Sequence, residues 1–301
     1  MKILYISKKA GQPIDMVDYQ DDCLFIGLKE LFGPDVVDVN KRIHVYKDFP
    51  YEEARKQYGM GFTVTRLLDE DNTDREDIIK KIKNKFFDIV VYGSIWRCQD
   101  YLELVTENYP KEKVVFIDGE DNPKFHPLIR EGARYFKREC VWEQNLEYQQ
   151  FFGKINFIGF GFPTFNVNFD GKKEKRMAHV DPRDRKTYVF KDEAPYYQDY
   201  QVSKYAYTMP KAGWDCLRHW EIIGNGCMPL FLNVQHCPRN VMHRAPKSLM
   251  TKIEFFFRND PKWLDKEYDT LSADLREHFL KYNTTKAVAE WMLKDLAAKI
   301  F

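Results

Sequence analysis

The N-terminal half of the chain alternates short apolar runs with amphipathic segments, and this alternation restricts the fold more than any other feature. Residues 2–6 form an apolar run, residues 21–32 carry apolar side chains at helical spacing, and residues 36–39 form a second run. Gly33 and Pro34 lie between the helical segment and the second run, as expected where a helix stops. The order strand, helix, strand favours a parallel sheet. The sequence therefore predicts an α/β fold.

The same alternation continues through the next hundred or so residues. Residues 74–85 and 101–108 predict helices, and the apolar runs 87–92, 114–117 and 134–137 predict strands. Open parallel sheets bind ligands outside the carboxyl ends of their strands. We therefore expect the functional loops of this half to be residues 7–11, 93–97, 118–121 and 137–139. The less regular residues 40–72 are long enough to border a substrate cleft.

The length of the chain indicates two domains. Its composition indicates no large excess of positive or negative charge. The 301 residues are divided into expected domains at 1–150 and 151–285 and a final helix at 286–301. The 47 basic and 46 acidic residues give a net charge of +1, which argues against a dedicated duplex nucleic-acid binder. No signal peptide pattern or membrane-length apolar run is found, and the six cysteines form no CxxC pair. Reduced thiols and a cytoplasmic location are expected.

Residues 211–231 carry the clearest functional pattern. The segment reads as loop, helix, tight turn and strand, with Gly213 near its start. A helix N-terminus offers free N–H groups and a partial positive charge, so it suits a diphosphate. Arg218 and Glu221 are three residues apart and share one helix face. Glu221 can accept two hydrogen bonds from a ribose diol, and Arg218 can hold a phosphate or orient the carboxylate.

The same segment also has a purely structural interpretation. Trp214, Leu217, Trp220 and Ile223 recur at helical spacing, and most helices with such a stripe simply pack on a sheet. An Arg–Glu pair three residues apart is usually a solvated surface pair. The residues alone leave both interpretations open.

The stretch KAGWDCLRHWEIIGNGCMPLF, residues 211–231, resembles the donor-site segment of exostosin-like glycosyltransferases and their soluble bacterial and viral relatives. In that family the segment runs Gly, Arg, Glu, small residues and Pro before a strand. Residues 135–139, YFKRE, resemble another region of the same enzymes. The resemblance implies the GT-B fold, in which two Rossmann-like domains with parallel sheets face a central cleft. It also implies a donor site in the C-terminal domain, an acceptor site in the N-terminal domain and a last helix that returns to the first domain.

Glycosyl transfer needs a stabilised diphosphate, an oriented sugar and, where configuration inverts, a base. The expected donor-binding residues, together with the amides of residues 213–215, are Lys211, Gly213, Trp214, Arg218, Glu221, Lys137 and Arg138. The candidate bases are Asp118, Glu120 and Asp121, with Glu139 as a further candidate. The structural alternatives are that the three acids cap a turn and that Lys137 and Arg138 form ordinary salt bridges.

The function that these residues predict is a metal-independent glycosyltransferase without a cofactor. It would move a hexose or pentose from a nucleotide-sugar to a glycan or another hydroxyl acceptor. Asp118, Gly119 and Glu120 resemble a D-x-D metal motif only loosely, and GT-B enzymes generally need no metal in the site. The alternatives are a phage-type DNA glucosyltransferase, which the missing basic surplus disfavours, and a non-catalytic nucleotide or sugar binder.

Overall fold

The computed structural model describes residues 1–9, 17–131, 133–144 and 146–298. Residues 10 and 11 of the first strand-end loop and residues 299–301 of the final helix lie outside these ranges. The strands are β1 (Ile3–Ile6), β2 (Val36–Asp38), β3 (Ile89–Tyr92), β4 (Val114–Asp118), β5 (Arg134–Lys137), β6 (Ile155–Phe157), β7 (Lys175–Met177), β8 (Ser203–Thr208) and β9 (Met228–Phe231). The α-helices are α1 (Tyr19–Phe32), α2 (Tyr51–Ala54), α3 (Ile78–Lys83), α4 (Leu102–Asn108), α5 (Glu193–Gln201), α6 (Leu217–Gly224), α7 (Lys247–Asn259), α8 (Pro261–Lys266), α9 (Tyr268–Tyr282) and α10 (Thr285–Ala298).

The first sheet has six parallel strands in the order β2-β1-β3-β4-β5-β6. Every residue of β1, β3 and β4 is buried, which explains why these strands read as continuous apolar runs rather than alternating ones. The strand order reverses beside β1, so the carboxyl ends of β1 and β3 border the crevice where such sheets bind ligands. The strands predicted over this half are confirmed.

Strand β6 corrects the expected boundary between residues 150 and 151. It pairs in parallel with β5, with Tyr135 opposite Ile155, and therefore belongs to the first sheet. The strand has three residues and follows a run of 3-10 turns, and nothing in its sequence indicates which sheet it joins. Its pairing depends on the exposed edge that β5 presents.

The second sheet has three parallel strands in the order β7-β8-β9. Edge strand β7 exposes Lys175 and Arg176, the kind of charged edge that discourages pairing with another chain. Helix α6 connects β8 to β9, so the predicted order of helix, tight turn and strand is present. The predicted α/β class with two parallel sheets is confirmed, in agreement with the GT-B architecture.

The last helix packs along α1 of the first sheet. Gly27 of α1 lies so close to α10 that a Cβ there would sit 2.1 Å from the Thr285 carbonyl oxygen. The Thr285 hydroxyl donates to the Glu30 carboxylate of α1. Thr284 caps α10, because its hydroxyl accepts from the Ala287 amide at 3.2 Å. The two halves of the chain are thereby joined through α1 and α10.

Two findings concern the chain as a whole. Within the described ranges, no helix combines the length and apolar character needed to cross a bilayer. All six cysteines are described, and each is a free thiol.

Candidate functional site

A cavity of about 410 Å³ lies beside the N-terminal end of α6 and is lined by both halves of the chain. The first half contributes Tyr19, Tyr58, Gly59, Met60, Phe62, Asp121 and Phe160. The second half contributes Val180, Tyr188, Phe190, Tyr196, Lys211, Ala212, Gly213, Asp215, Cys216, Leu217, Arg218 and Glu221.

The structure brings half of the sequence-predicted site residues to this cavity. Those that line it are Lys211, Gly213, Arg218, Glu221 and Asp121. Those that do not are Trp214, Lys137, Arg138, Asp118 and Glu120. Local contacts, which differ from residue to residue, determine which of these side chains reach the cavity.

Glu221 projects from the second turn of α6 and is 7% exposed. Its Oε1 accepts a hydrogen bond from the Thr63 hydroxyl, and its Oε2 accepts one from the Tyr196 hydroxyl at 2.7 Å. Sequence reasoning missed both partners. Tyr196 lies on a helix whose apolar pattern hides it among core residues, and Thr63 lies in the irregular segment 40–72, where no periodicity points to it.

Arg218 and Lys211 are the cations of the cavity wall. The Arg218 guanidinium lies 4.8 Å from the centroid of the Tyr188 ring and donates to the Tyr188 hydroxyl. The Lys211 ammonium lies 5.1 Å from the same ring. The Arg218 Nε is buried and has no hydrogen-bond partner within the described part of the chain. Its guanidinium therefore has donor capacity left for an anion.

The loop before α6 departs from the expected phosphate cradle. Helix α6 begins at Leu217 rather than near Gly213, with Cys216 at the N-cap. The Asp215 amide donates to the Glu139 carboxylate at 2.9 Å and is not open to a diphosphate, which corrects the expectation for this amide. A Cβ at Gly213 would lie 2.6 Å from the same carboxylate, so glycine permits the close approach. Burial raises the pKa of Glu139, whose role here is to hold the loop.

Arg138 holds that loop from the other side. Its guanidinium is buried and donates to the Asp215 carbonyl at 2.7 Å and to the Gly119 carbonyl at 2.9 Å. It also pairs with Asp121 and Glu139. Arg138 therefore connects the strand-end loops of β4 and β5 to the segment before α6. The expected direct contact with phosphate is corrected to a contact with protein groups.

Asp118 and Lys137 neutralise each other in the interior. Both side chains are fully buried, and the Lys137 Nζ lies 2.8 Å from the Asp118 Oδ1. The pairing follows from strand register, because Asp118 of β4 lies opposite Lys137 of β5. The Tyr135 hydroxyl donates to the second carboxylate oxygen. The expectations of Asp118 as a base and Lys137 as a phosphate ligand are therefore corrected.

The remaining predicted residues divide between surface and core. Glu120 accepts from the Arg97 Nε at 3.1 Å, outside the cavity. Asp121 pairs with Arg138, yet its side chain is 53% exposed and lines the cavity. Trp214 packs toward the Phe231 ring, with centroids 6.5 Å apart. Of the three candidate bases, only Asp121 reaches the cavity.

A buried histidine fixes the backbone at Trp214. His219 lies between the Thr208 hydroxyl, 2.7 Å from Nδ1, and the Trp214 carbonyl, 2.9 Å from Nε2. Since a carbonyl only accepts, Nε2 carries the proton and Nδ1 accepts from the threonine. Burial lowers the pKa of His219 to about 3, so the ring is neutral. The sequence gives no signal for this role, because His219 reads as one more residue of an amphipathic helix.

Aromatic rings form most of the remaining wall. Tyr19 lies 6.0 Å from Tyr58 and 6.4 Å from Phe160, centroid to centroid, and Phe62 lies 5.6 Å from Tyr196. Apolar rings with a few convergent polar groups are typical of small-molecule sites. Among the described residues, no cluster of three or more His, Cys, Asp or Glu side chains is placed to hold a metal ion.

One solved structure similar to this chain is that of HepE (Alr3699) from Anabaena, in complex with UDP and glucose. The two share 8% identity with a TM-score of 0.47, over 99% of this chain and 100% of that one. No family model and no curated protein matches. Membership of the exostosin-like family stays a prediction from residues 211–231.

Proposed function

We propose that the chain is a glycosyltransferase that takes its sugar from a nucleotide-sugar donor. The observation that carries the proposal is that Glu221, Arg218 and Lys211 line one cavity together with the first turn of α6. A carboxylate suits a ribose diol, and two cations beside a helix N-terminus suit a diphosphate. The surrounding rings suit the faces of a base and a sugar.

The proposed donor pose follows from these groups. The ribose hydroxyls donate to Glu221, which retains acceptor capacity beyond its two protein partners. The diphosphate accepts from the Arg218 guanidinium and from Lys211. We propose Asp121 as the base that takes the proton of the acceptor hydroxyl while the sugar–phosphate bond breaks and the nucleoside diphosphate leaves. The acceptor is a glycan or another hydroxyl compound.

Glu221 gives the most direct test of donor binding. We expect Glu221→Ala to weaken donor binding at least tenfold, because hydrogen bonds to a charged group contribute about 1.5–3 kcal/mol each. Nucleotide-sugars that raise the melting temperature of the wild type are first found by a thermal-shift screen over UDP-, GDP-, ADP- and CMP-sugars. Their affinity is then measured by calorimetry for both proteins.

The matched control is Glu277→Ala, which removes an exposed glutamate of helix α9 away from the cavity. It should leave donor affinity unchanged. Wild-type affinity in a folded Glu221→Ala variant would contradict the proposed donor site.

A non-catalytic nucleotide-sugar binder is the second candidate. It is favoured by the ion pairs that hold Asp118 and Glu120 away from the cavity and engage Asp121. Release of nucleoside diphosphate in the presence of hydroxyl acceptors separates the two, since a binder shows affinity without turnover. The assay is run in EDTA, because metal independence is part of the proposal, and rescue by Mg²⁺ or Mn²⁺ would correct that part.

A further inference from the structure

Thr63 lies in a strained segment of the first half. The backbone φ of Thr63 is +77°, and Met60 and Arg66 in the same segment have φ of +59° and +58°. A β-branched residue rarely adopts positive φ, and such strain persists only where surrounding contacts determine it. The contacts of Thr63 therefore indicate what the strained conformation holds in place.

Those contacts all reach residues of the second half of the chain. Thr63 is fully buried, and its amide donates to the Glu193 carboxylate of α5. Its hydroxyl lies 2.7 Å from the Tyr197 hydroxyl and also contacts the Glu221 Oε1. The Thr63 hydroxyl donates its one proton to Glu221, so the Tyr197 hydroxyl donates to Thr63. The result is a directed chain of hydrogen bonds from Tyr197 through Thr63 to Glu221.

A second chain reaches the other carboxylate oxygen. The Tyr200 hydroxyl donates to the Tyr196 hydroxyl at 3.0 Å, and Tyr196 donates to the Glu221 Oε2 at 2.7 Å. Each oxygen of Glu221 is thus held by one hydroxyl, one from each half of the chain. Both oxygens keep further acceptor capacity, and Glu221 lines the cavity whereas Thr63 does not.

We infer that Thr63 is a positioning residue for the donor site, which acts through Glu221 and makes donor recognition depend on the docked segment around residue 63. This inference rests on the proposed function, because it assigns a task to Glu221 as the ribose ligand. Residue 63 comes from the acceptor-side half, so the carboxylate is correctly oriented only when that segment contacts α5 and α6. Thr63 itself touches no substrate.

The test compares three variants by donor calorimetry and by steady-state kinetics in which donor is varied. Thr63→Val keeps size and β-branching but removes the hydroxyl, and we expect donor Kd and KM to rise about tenfold. We expect kcat at saturating donor to stay within about twofold, because the lost interaction acts on binding. Thr63→Ser restores the hydroxyl and should recover most of the donor affinity.

The matched control is Thr65→Val, since among the described residues the Thr65 hydroxyl bonds only the Gly61 carbonyl, at 2.7 Å. It should leave donor affinity unchanged although it changes the same segment. Should Thr63→Val fail to fold, Thr63→Ala replaces it and removes the hydroxyl without placing a methyl group against the carboxylate.

The outcomes distinguish this inference from the proposed function. Wild-type donor affinity in Thr63→Val, with Glu221→Ala still impaired, overturns the role of Thr63 alone. Tighter donor binding in Thr63→Val also overturns it, because the hydroxyl would then compete with the ribose. If the wild type binds no nucleotide-sugar and Glu221→Ala changes nothing, both the inference and the proposed function fail.

Discussion

Two acidic residues at the carboxyl end of β4 have different surroundings although they are close in sequence. Asp118 is fully buried with Lys137, whereas the Asp121 side chain is 53% exposed at the cavity. Removing one partner of a buried ion pair leaves an uncompensated charge and costs about 3–5 kcal/mol. A half-exposed pair contributes about 1 kcal/mol or less. These magnitudes favour a role of Asp118 in stability and leave Asp121 as the proposed base.

Two substitutions test this division. We expect Asp118→Asn to lower the free energy of unfolding by about 3–5 kcal/mol and to leave turnover per folded molecule unchanged. Asp121→Asn should keep stability but lower turnover at least about a hundredfold, the usual contribution of a general base. Urea unfolding gives the first quantity, and initial rates normalised to folded protein give the second. A hundredfold slower but stable Asp118→Asn variant would make Asp118 the base instead.

Among the secondary-structure elements, α1 and α10 make the contact that ties the end of the chain to the first sheet. Their approach depends on Gly27, where an added Cβ would lie 2.1 Å from a backbone oxygen of Thr285. Backbone atoms cannot rotate away as a side chain can. The small residue is therefore required by packing, although glycine weakens an isolated helix.

Gly27→Ala tests the packing of these two helices. An alanine inside a helix normally stabilises by about 0.5–1 kcal/mol relative to glycine. We expect the opposite sign here, a loss of about 1–3 kcal/mol, because overpacking outweighs the gain in helix propensity. Gly153→Ala is the matched control, since nothing lies within 4 Å of its Cβ position, and its stability should change little. Stabilisation by Gly27→Ala, measured by chemical unfolding, would show that α10 does not pack on α1.

For the protein as a whole, one apolar cluster contains residues of both sheets, and polar contacts beside the cavity also join the two halves of the chain. Arg138 and Glu139 bind the backbone at Asp215, and Thr63 binds Glu193 and Glu221. Burial raises the pKa of Glu193 to about 7, and the nearby Glu221 adds to the shift. Burial also raises the pKa of Asp21 to about 7 and that of Asp215 to about 6. The burial of these three carboxyl groups therefore makes stability sensitive to pH.

The direction in which stability changes with pH follows from the numbers of protons that the folded and unfolded states bind. Between pH 4.5, the unshifted pKa of Glu193, and pH 7 the folded state binds more protons at Glu193 than the unfolded state does, so the contribution of Glu193 to the free energy of unfolding falls as the pH rises. Glu193→Gln still accepts from the Thr63 amide but cannot ionise. We expect the free energy of unfolding of this variant to lose the falling contribution of Glu193 between pH 5 and 7.5. The remaining slope comes from Asp21 and Asp215, whose contributions also fall, and from His219, whose contribution rises with pH. Urea unfolding at both pH values measures this, and equal slopes would contradict it.

Local sequence patterns predicted those parts of the structure that are determined by residues close together in the sequence. Apolar runs bounded by helices predicted β1 to β5, and Gly33 marked the end of α1, where its φ is +51°. The spacing of Arg218 and Glu221 placed both on one face of α6, because helix geometry relates residues three apart. Both of these side chains line the cavity, and their ligands are still proposals.

Contacts between residues that are far apart in the sequence could not be predicted in this way. Thr63 reaches Glu221 over 158 positions, and Glu139 reaches the Asp215 amide over 76. Asp118 and Lys137 are charged residues at strand ends, and only the register of β4 and β5 turns them into a buried pair. The placement of β6 in the first sheet likewise depended on which edge was open. Periodicity and capping act over a few residues, whereas strand register, burial and cross-cavity hydrogen bonds arise when the packed halves exclude water.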